Sequence, residues 1–240
     1  QPGGDPKPVM VKPPSPDVAM LVTAGAPDTA VTLRWFEPYQ ERTPTKAEVR
    51  KNLVEQLGAG IVARRMQGIN EAAGKPAAFI GSASPSAITH VWNGEMASSG
   101  RVTDVAKTID VMVKAHRQAI EFGVTQEELD RQISLRLDAS KREAERGRTG
   151  TSVSLVESAL DYIDADVPFV SLQQSYALLV EQVPTITLAE VNAALKARFT
   201  DKPMLTYRGS EAPKGGEAGL RSAFAAAMAA TNRAPPHSPK

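Results

Sequence analysis

Hydrophobic residues recur with a helical period between residues 45 and 72. The apolar positions lie mostly four residues apart, which places them along one face of a helix. They are Val49, Leu53, Leu57, Ile61 and Ile69, and the stripe leaves Lys51, Glu55 and Arg65 largely outside it. Thr45 and Glu48 have the spacing of a capping box, so the helix is predicted to begin at Lys46. Gly74 and Pro76 predict the turn that follows it.

Strands are predicted on both sides of this helix. Before it, Val18 to Ala24 is an apolar run, and Ala30 to Phe36 alternates apolar with polar residues, the period of a half-buried strand. Turn residues separate the two, so they are predicted to pair as an antiparallel hairpin. After the helix, Ala78 to Ser84 and Ile88 to Ala97 predict a second pair of strands around Pro85.

The rest of the chain is predicted to be mainly helical. Thr103 is the predicted cap of a helix that ends at Gly123, and its apolar stripe includes His116. Two further capping boxes, Thr125 with Glu128 and Thr187 with Glu190, begin two more helices. The remaining predicted elements are a helix through Val153, Val156, Leu160 and Ile163, a helix from Ser171 to Val183, a strand from Met204 to Arg208, and an Ala-rich helix from Leu220 to Asn232.

This order of elements predicts an α+β fold. With strands near both ends and helices between them, we expect a two-layer sandwich in which helices pack on one face of a mostly antiparallel sheet. Residues 1–16 are predicted to be a Pro-rich linker, residues 17–208 one domain, and residues 209–240 a loop and an Ala-rich linker helix. A chain that begins in a Pro-rich segment without Met is expected to be a fragment or a processed product.

Composition narrows the classes of partner. The 240 residues are 42% hydrophobic and 23% charged, an ordinary globular balance, with a formal net charge of +1. This charge gives no electrostatic reason to expect nucleic acid or an anionic membrane as a partner. No apolar run is long enough to span a membrane. The absence of Cys leaves the compartment open.

Candidate catalytic and metal-binding residues are few. The only histidines are His90, His116 and His237, and none has the H-x-x-E-H spacing with which two His residues hold zinc and a Glu activates water. A zinc site from His90, His116 and Glu95 is conceivable, but packed or hydrogen-bonded histidines are the favoured interpretation. Asp161, Asp164 and Asp166 lack the Gly and the distant Glu of a calcium loop. No catalytic, metal or cofactor site is therefore predicted in this chain.

Several weak motifs in order resemble one protein family. A helix that carries Arg64 and Arg65 is followed by Asn70-Glu71, a Gly turn and the run FIGSA from Phe79. VTLRWFEPYQERTP lies before this stretch, and GVTQEELDR and PTITLAEVNAALKARF lie after it. From Asp17 to Arg208 the sequence resembles the second domain of bacterial M16 peptidases, the pitrilysin and insulinase group of zinc metallopeptidases. The resemblance implies their layered fold, of the LuxS-like metallohydrolase class.

The resemblance also implies a role. It points to a non-catalytic domain that helps to form the enclosed substrate chamber and packs on a zinc-bearing domain, so that zinc is expected only in the catalytic domain of the parent protein. Other M16 domains, of the same or a partner chain, and a peptide substrate are the implied partners, and the periplasm is the favoured location. The alternative is a free-standing inactive subunit that pairs with an active peptidase chain.

Two family positions bear on substrate. An Arg near the helix end and a Tyr after the Gly turn contact substrate backbone in the partner domains of M16 proteins. Arg64 or Arg65 falls near the Arg position, whereas Ala77 to Phe79 occupies the place of the Tyr. A phenyl ring cannot donate the hydrogen bond of a phenol. The resemblance implies Arg64, Arg65 and Phe79 as substrate contacts. The alternative is that Arg64 is a surface or salt-bridged residue.

Overall fold

The structure, a computed structural model, describes residues 17–38, 45–72, 78–88, 91–102, 104–147 and 171–235, and for residues 78–101 it describes the backbone only. The strands are β1 Val18–Val22, β2 Thr29–Pro38, β3 Ala78–Ile88, β4 Val91–Arg101 and β5 Met204–Gly209. The helices are α1 Lys46–Ala72, α2 Val105–Phe122, α3 Gln126–Gly147, α4 Leu172–Gln182, α5 Leu188–Phe199 and α6 Gly216–Ala229. This is an α+β arrangement built on one mixed sheet.

The sheet has the strand order β1-β5-β2-β4-β3. β1 runs parallel to β5, with Val18 opposite Leu205, while β2 is antiparallel to both β5 and β4. The predicted hairpin of β1 with β2 is therefore wrong, because β5 lies between them. Leu205 and Tyr207 of β5 are buried. These side chains are buried because β5 lies inside the sheet, between β1 and β2. A direct hairpin of β1 with β2 would exclude β5 from this position.

The second pair of strands is antiparallel, as the sequence predicts, but it turns at a different place. Pro85 lies within β3, opposite Gly94 of β4, and the pairing continues to Ile88 opposite Val91. The strand therefore extends beyond the predicted end at Ser84. β3 is an edge strand whose neighbour in the sheet is β4. Proline is tolerated in edge strands because it has no backbone N–H that must pair with a neighbouring strand.

α1 begins at Lys46 as predicted, where Thr45 Oγ1 accepts a hydrogen bond of 3.2 Å from the Glu48 backbone N–H. Its buried face differs from the predicted stripe at both edges. Val49 is exposed, while Arg65 is buried, because an acidic partner on α3 pairs with its guanidinium. Glu55 likewise pairs with Arg198 of α5 at 3.3 Å. The other buried residues of the helix are Leu53, Val54, Leu57, Gly58, Ala59, Ile61, Val62, Met66 and Asn70.

The remaining helices agree with the predictions except at their ends. Asp104 caps α2 by accepting from the Lys107 N–H at 2.9 Å, whereas the predicted cap, Thr103, lies outside the described residues. α2 ends at Gly123, whose positive φ of 74° suits a residue without a side chain. Both later capping boxes are formed, at Thr125 and at Thr187. The predicted helix through Val153 and Ile163 lies outside the described residues.

α6 begins four residues earlier than predicted. Gly215, in the left-handed region with φ of 80°, precedes it. Leu220 and Phe224 of α6 are buried in the same core as α2 and β1. Residues 230–235 follow as a segment without regular secondary structure.

Candidate functional site

A cleft of about 750 Å³ lies between the second half of α1, the first half of α2 and the start of α3. Arg64 and Arg65 of α1, two of the three residues implied as substrate contacts, both line it. Charges of both signs surround the opening. The other charged lining residues are Glu71, Lys107, Asp110, Lys114, Glu127, Glu128 and Arg131.

Arg65 forms the strongest polar contact of the cleft wall. Its Nε and Nη2 each donate to one Glu128 carboxylate oxygen at 2.6 Å, a bidentate pair, and Nη2 also donates to the Gly123 carbonyl at 2.9 Å. The side chain of Arg65 is 6% exposed and that of Glu128 is 22% exposed. Such geometry is favoured by the planar guanidinium and fixes both partners. Arg65 therefore joins α1 to the start of α3.

Glu128 serves two elements at once. Its Oε2 also accepts from the Thr125 backbone N–H at 2.8 Å, which completes the capping box of α3. Burial is the largest influence on the pKa of this carboxyl and raises it, but the hydrogen bonds from Arg65 and Thr125 outweigh burial and lower the pKa below its usual range. The capping box predicted the position of Glu128, but no sequence signal assigned Arg65 as its partner.

Arg64 is held less tightly. Its Nη2 donates to Gln132 Oε1 of α3 at 3.1 Å, and the residue is half-buried. Gln132 packs directly over Gly60, where a Cβ would overlap the Gln132 amide. The missing side chain of Gly60 therefore permits the close approach of α3.

Phe79, the third implied contact, is the second residue of β3 and pairs with Gly100 of β4. Its side chain lies outside the described part of the structure. β3 begins six positions after Ala72, the last residue of α1. The backbone therefore places Phe79 only a few residues beyond the last turn of α1.

His116 belongs to a packed cluster. Its ring centroid lies 4.8 Å from that of Trp35, and Nε2 lies 2.6 Å from the Phe199 carbonyl oxygen. His90, His237, Asp161, Asp164 and Asp166 lie outside the described residues, and only the backbone of Glu95 is described. Within residues 17–38, 45–72, 104–147 and 171–235 no three His, Cys, Asp or Glu side chains are grouped as metal ligands. In the same residues no helix has the length and hydrophobicity of a membrane span.

Comparisons with solved structures show what this fold is similar to. An insulinase family protease from Yersinia pestis superposes with a TM-score of 0.72 at 15% identity, over 90% of this chain and 47% of that chain. The periplasmic protease PqqL from Escherichia coli superposes with a TM-score of 0.73 at 12% identity, over 93% of this chain and 25% of that chain. The ferredoxin protease FusC, solved in complex with Arabidopsis ferredoxin, superposes with a TM-score of 0.62 at 15% identity, over 93% of this chain and 25% of that chain.

No protein-family profile and no curated protein sequence matches this chain. The chain spans about half or a quarter of the proteases to which it is similar. At this level of identity the likeness concerns the fold. The chain has an M16-like fold.

Proposed function

We propose that this chain is a non-catalytic domain of an M16-like zinc metallopeptidase. The observation that carries the proposal is the similarity of nearly the whole chain to only part of longer insulinase-family proteases. In this role the domain packs on the zinc-bearing domain of the parent protein, which supplies the metal. The helices would cover one face of the sheet, and the other face would form part of the wall of the enclosed substrate chamber. PqqL is a periplasmic protease, which supports the periplasm as the location of the parent protein.

Arg64 is the better candidate of the two arginines for contact with a peptide. Two of the three guanidinium nitrogens of Arg65 are already bonded to Glu128, and the pair connects two helices. Among the described residues Arg64 has one neutral amide partner, at 3.1 Å, which a peptide carbonyl oxygen can replace at little cost. Arg65 then acts as a positioning residue that holds α1 on α3, and Phe79 supplies an apolar contact beyond the helix.

The test compares this chain with the complete polypeptide that its gene encodes. Zinc content is measured by elemental analysis, and cleavage is measured on a mixed peptide library. We expect the complete protein to hold zinc and to cleave peptides until it is chelated. The isolated chain should show neither property, and it should co-elute with the purified zinc-bearing part in size-exclusion chromatography.

A tightly held zinc in the isolated chain, with cleavage lost on chelation, would contradict the proposal. A gene without an H-x-x-E-H domain would instead favour a free-standing subunit, which would then have to bind an active peptidase chain. Cell fractionation of the parent protein tests the proposed location separately.

A further inference from the structure

One end of the cleft is bounded by a later segment of the chain itself. Of the α2 residues that line the cleft, Gln118 lies nearest the C-terminus of the helix, and Pro235 lines the cleft beside it. Residues 230–235 are held there because Gln118 Nε2 donates to the Arg233 carbonyl oxygen at 3.0 Å. This end of the cleft therefore suits the end of a ligand chain better than a chain that passes through.

The two long walls of the cleft, α1 and α2, run in opposite directions. Arg65 of α1 donates to the carbonyl oxygen of Gly123, the residue that ends α2, so Arg65 lies toward the bounded end. Ala78, where β3 begins after α1, lies opposite Arg101, where β4 ends before α2. The end of α1 and the start of α2 therefore lie together at the opposite end of the cleft.

Two arginines near the bounded end have unused capacity to bind an anion. Arg64 lines the cleft, and among the described residues its hydrogen-bond acceptor is the neutral amide of Gln132. Nη1 of Arg65 is buried without an acceptor among the described residues, while Nε and Nη2 are bonded. Buried donors are normally paired, because an unpaired one loses its bonds to water without replacement. An oxyanion at this end would supply acceptors to both residues.

The charges of the lining differ between the two ends. Near the bounded end the cations outnumber the anions, and the residues are Arg64, Arg65, Arg131, Glu127 and Glu128. At the opposite end the anions outnumber the cations, and the residues are Glu71, Asp110 and Lys107. Lys114 lies between the two groups. This distribution favours a ligand that places its negative group at the bounded end and a neutral or positive part at the other.

We propose that the cleft holds the C-terminal end of a peptide, with the terminal carboxylate at the end bounded by Pro235. The two carboxylate oxygens accept hydrogen bonds from Arg64 and from Nη1 of Arg65, and the preceding residues extend toward the acidic end. A guanidinium binds a charged acceptor about twice as strongly as a neutral one, so the carboxylate replaces the Gln132 amide as partner of Arg64. The choice of a peptide as the ligand rests on the proposed function.

Fluorescence anisotropy with this chain tests the polarity of the site. The probe is a pentapeptide of alanine and leucine with an N-terminal fluorescein, prepared with a free C-terminal carboxylate and with a C-terminal amide. We expect the free acid to bind about tenfold more tightly, the effect of one charge-assisted hydrogen bond. Equal affinities, or no binding of the free acid, would overturn the proposal. An amidated peptide that ends in glutamate and binds as tightly as the free acid would overturn recognition of the chain end.

Arg64→Gln tests the residue that receives the carboxylate. The tenfold preference for the free acid should fall to about twofold or less, because glutamine offers no charge. The matched control is Arg142→Gln, which removes the same charge from an exposed position of α3 outside the cleft. It should keep the preference. A preference that persists in Arg64→Gln would exclude Arg64 as the partner of the carboxylate.

Gly68→Phe tests whether the peptide lies in the cleft. Gly68 lines the cleft and has open space where a side chain would begin, so the ring fills the cleft without replacing either arginine. Binding of the free acid should weaken at least about tenfold. Asp138→Phe, at an exposed position of α3 outside the cleft, should leave it unchanged. Circular dichroism verifies folding, and unchanged affinity in folded Gly68→Phe would overturn the proposed site.

The binding experiment and the test of the proposed function can fail separately. If this chain prefers the free acid but the complete protein neither holds zinc nor cleaves peptides, the peptide site stands and the peptidase role is wrong. If the complete protein is an active zinc peptidase but this chain binds acid and amide equally, the peptidase role stands and the carboxylate site is wrong.

Discussion

The Nε2 atom of His116 lies 2.6 Å from the carbonyl oxygen of Phe199, and this contact joins the middle of α2 to the last residue of α5. Since a carbonyl only accepts, Nε2 carries the proton, and the buried Nδ1 has no partner among the described residues. Burial is the main cause that lowers the pKa of His116 below 6.5, and Arg117 lowers it further, while the Phe199 carbonyl and Glu121 act in the opposite direction. The histidine is thus neutral in the folded protein.

This neutral histidine predicts a loss of stability on mild acidification. Because its folded-state pKa is lowered, the unfolded chain takes up a proton first, and stability falls as the pH drops below about 6.5. The slope is at most about 1.4 kcal/mol per pH unit, which corresponds to one proton, and the loss ends once the pH passes below the folded-state pKa. Urea unfolding at pH 7.5 and 5.5 measures the change. His116→Gln keeps a donor toward Phe199 but does not titrate, so it should flatten the slope, and an unaltered slope would refute the assignment.

The pair of Arg65 and Glu128 is predicted to contribute to stability as well as to the cleft. Glu128→Gln leaves the Arg65 charge buried without its counter-ion, and we expect a cost of about 2 kcal/mol in the free energy of unfolding. The control is Glu181→Gln, which removes the exposed partner of Lys46. It should leave the unfolding midpoint unchanged. Equal small effects of both substitutions would mean that the buried pair does not stabilise the fold.

Two glycines of α1 are expected to respond oppositely to alanine. At Gly58 a Cβ would lie 2.9 Å from Leu195 Cγ of α5, a buried branch point that has little room to move. Gly58→Ala should therefore destabilise the protein by about 1–2 kcal/mol. Gly68 has open space, so Gly68→Ala should stabilise by up to about 1 kcal/mol through helix propensity. Urea unfolding of both variants provides the measurement, and a shift of the same sign would contradict the packing of α1 on α5.

Glu190 should titrate far below an ordinary glutamate. The hydrogen bond from Arg50 is the largest cause, the Thr187 capping box adds to it, and together they lower the pKa to about 2. The stability linked to this carboxylate is present above its ordinary pKa of 4.5 and is lost as the pH falls through about 2. NMR titration of the Glu190 side chain reads the value directly. Arg50→Met should raise it toward 4.5, and a midpoint already near 4.5 in the unmodified protein would disprove the pairing.

In the parent peptidase proposed above, Arg64→Ala should weaken transition-state binding of peptides. Loss of one hydrogen bond from a charged donor corresponds to about a tenfold decrease in kcat/KM. Arg142→Ala, at an exposed position of α3 outside the cleft, is the control and should leave kcat/KM unchanged. Steady-state kinetics on one peptide substrate distinguishes the two, and equal kcat/KM for both variants would exclude a substrate contact by Arg64.

The sequence by itself determined the local features of this protein. Capping boxes at Thr125 and Thr187, the start of α1 and the end of α2 at Gly123 follow from hydrogen bonds and backbone conformations within a few residues, so the sequence predicts them directly. The ordered series of motifs around Arg64 and Phe79 also indicated the M16-like fold.

Only the tertiary structure decided which distant residues meet. β5 enters between β1 and β2 because burial of Leu205 and Tyr207 outweighs the short connection of a hairpin. Arg65, which the helical pattern places outside the apolar stripe, is buried because α3 brings Glu128 to it across 63 positions of sequence. Such contacts depend on how whole elements pack, and no periodicity within one element contains that information.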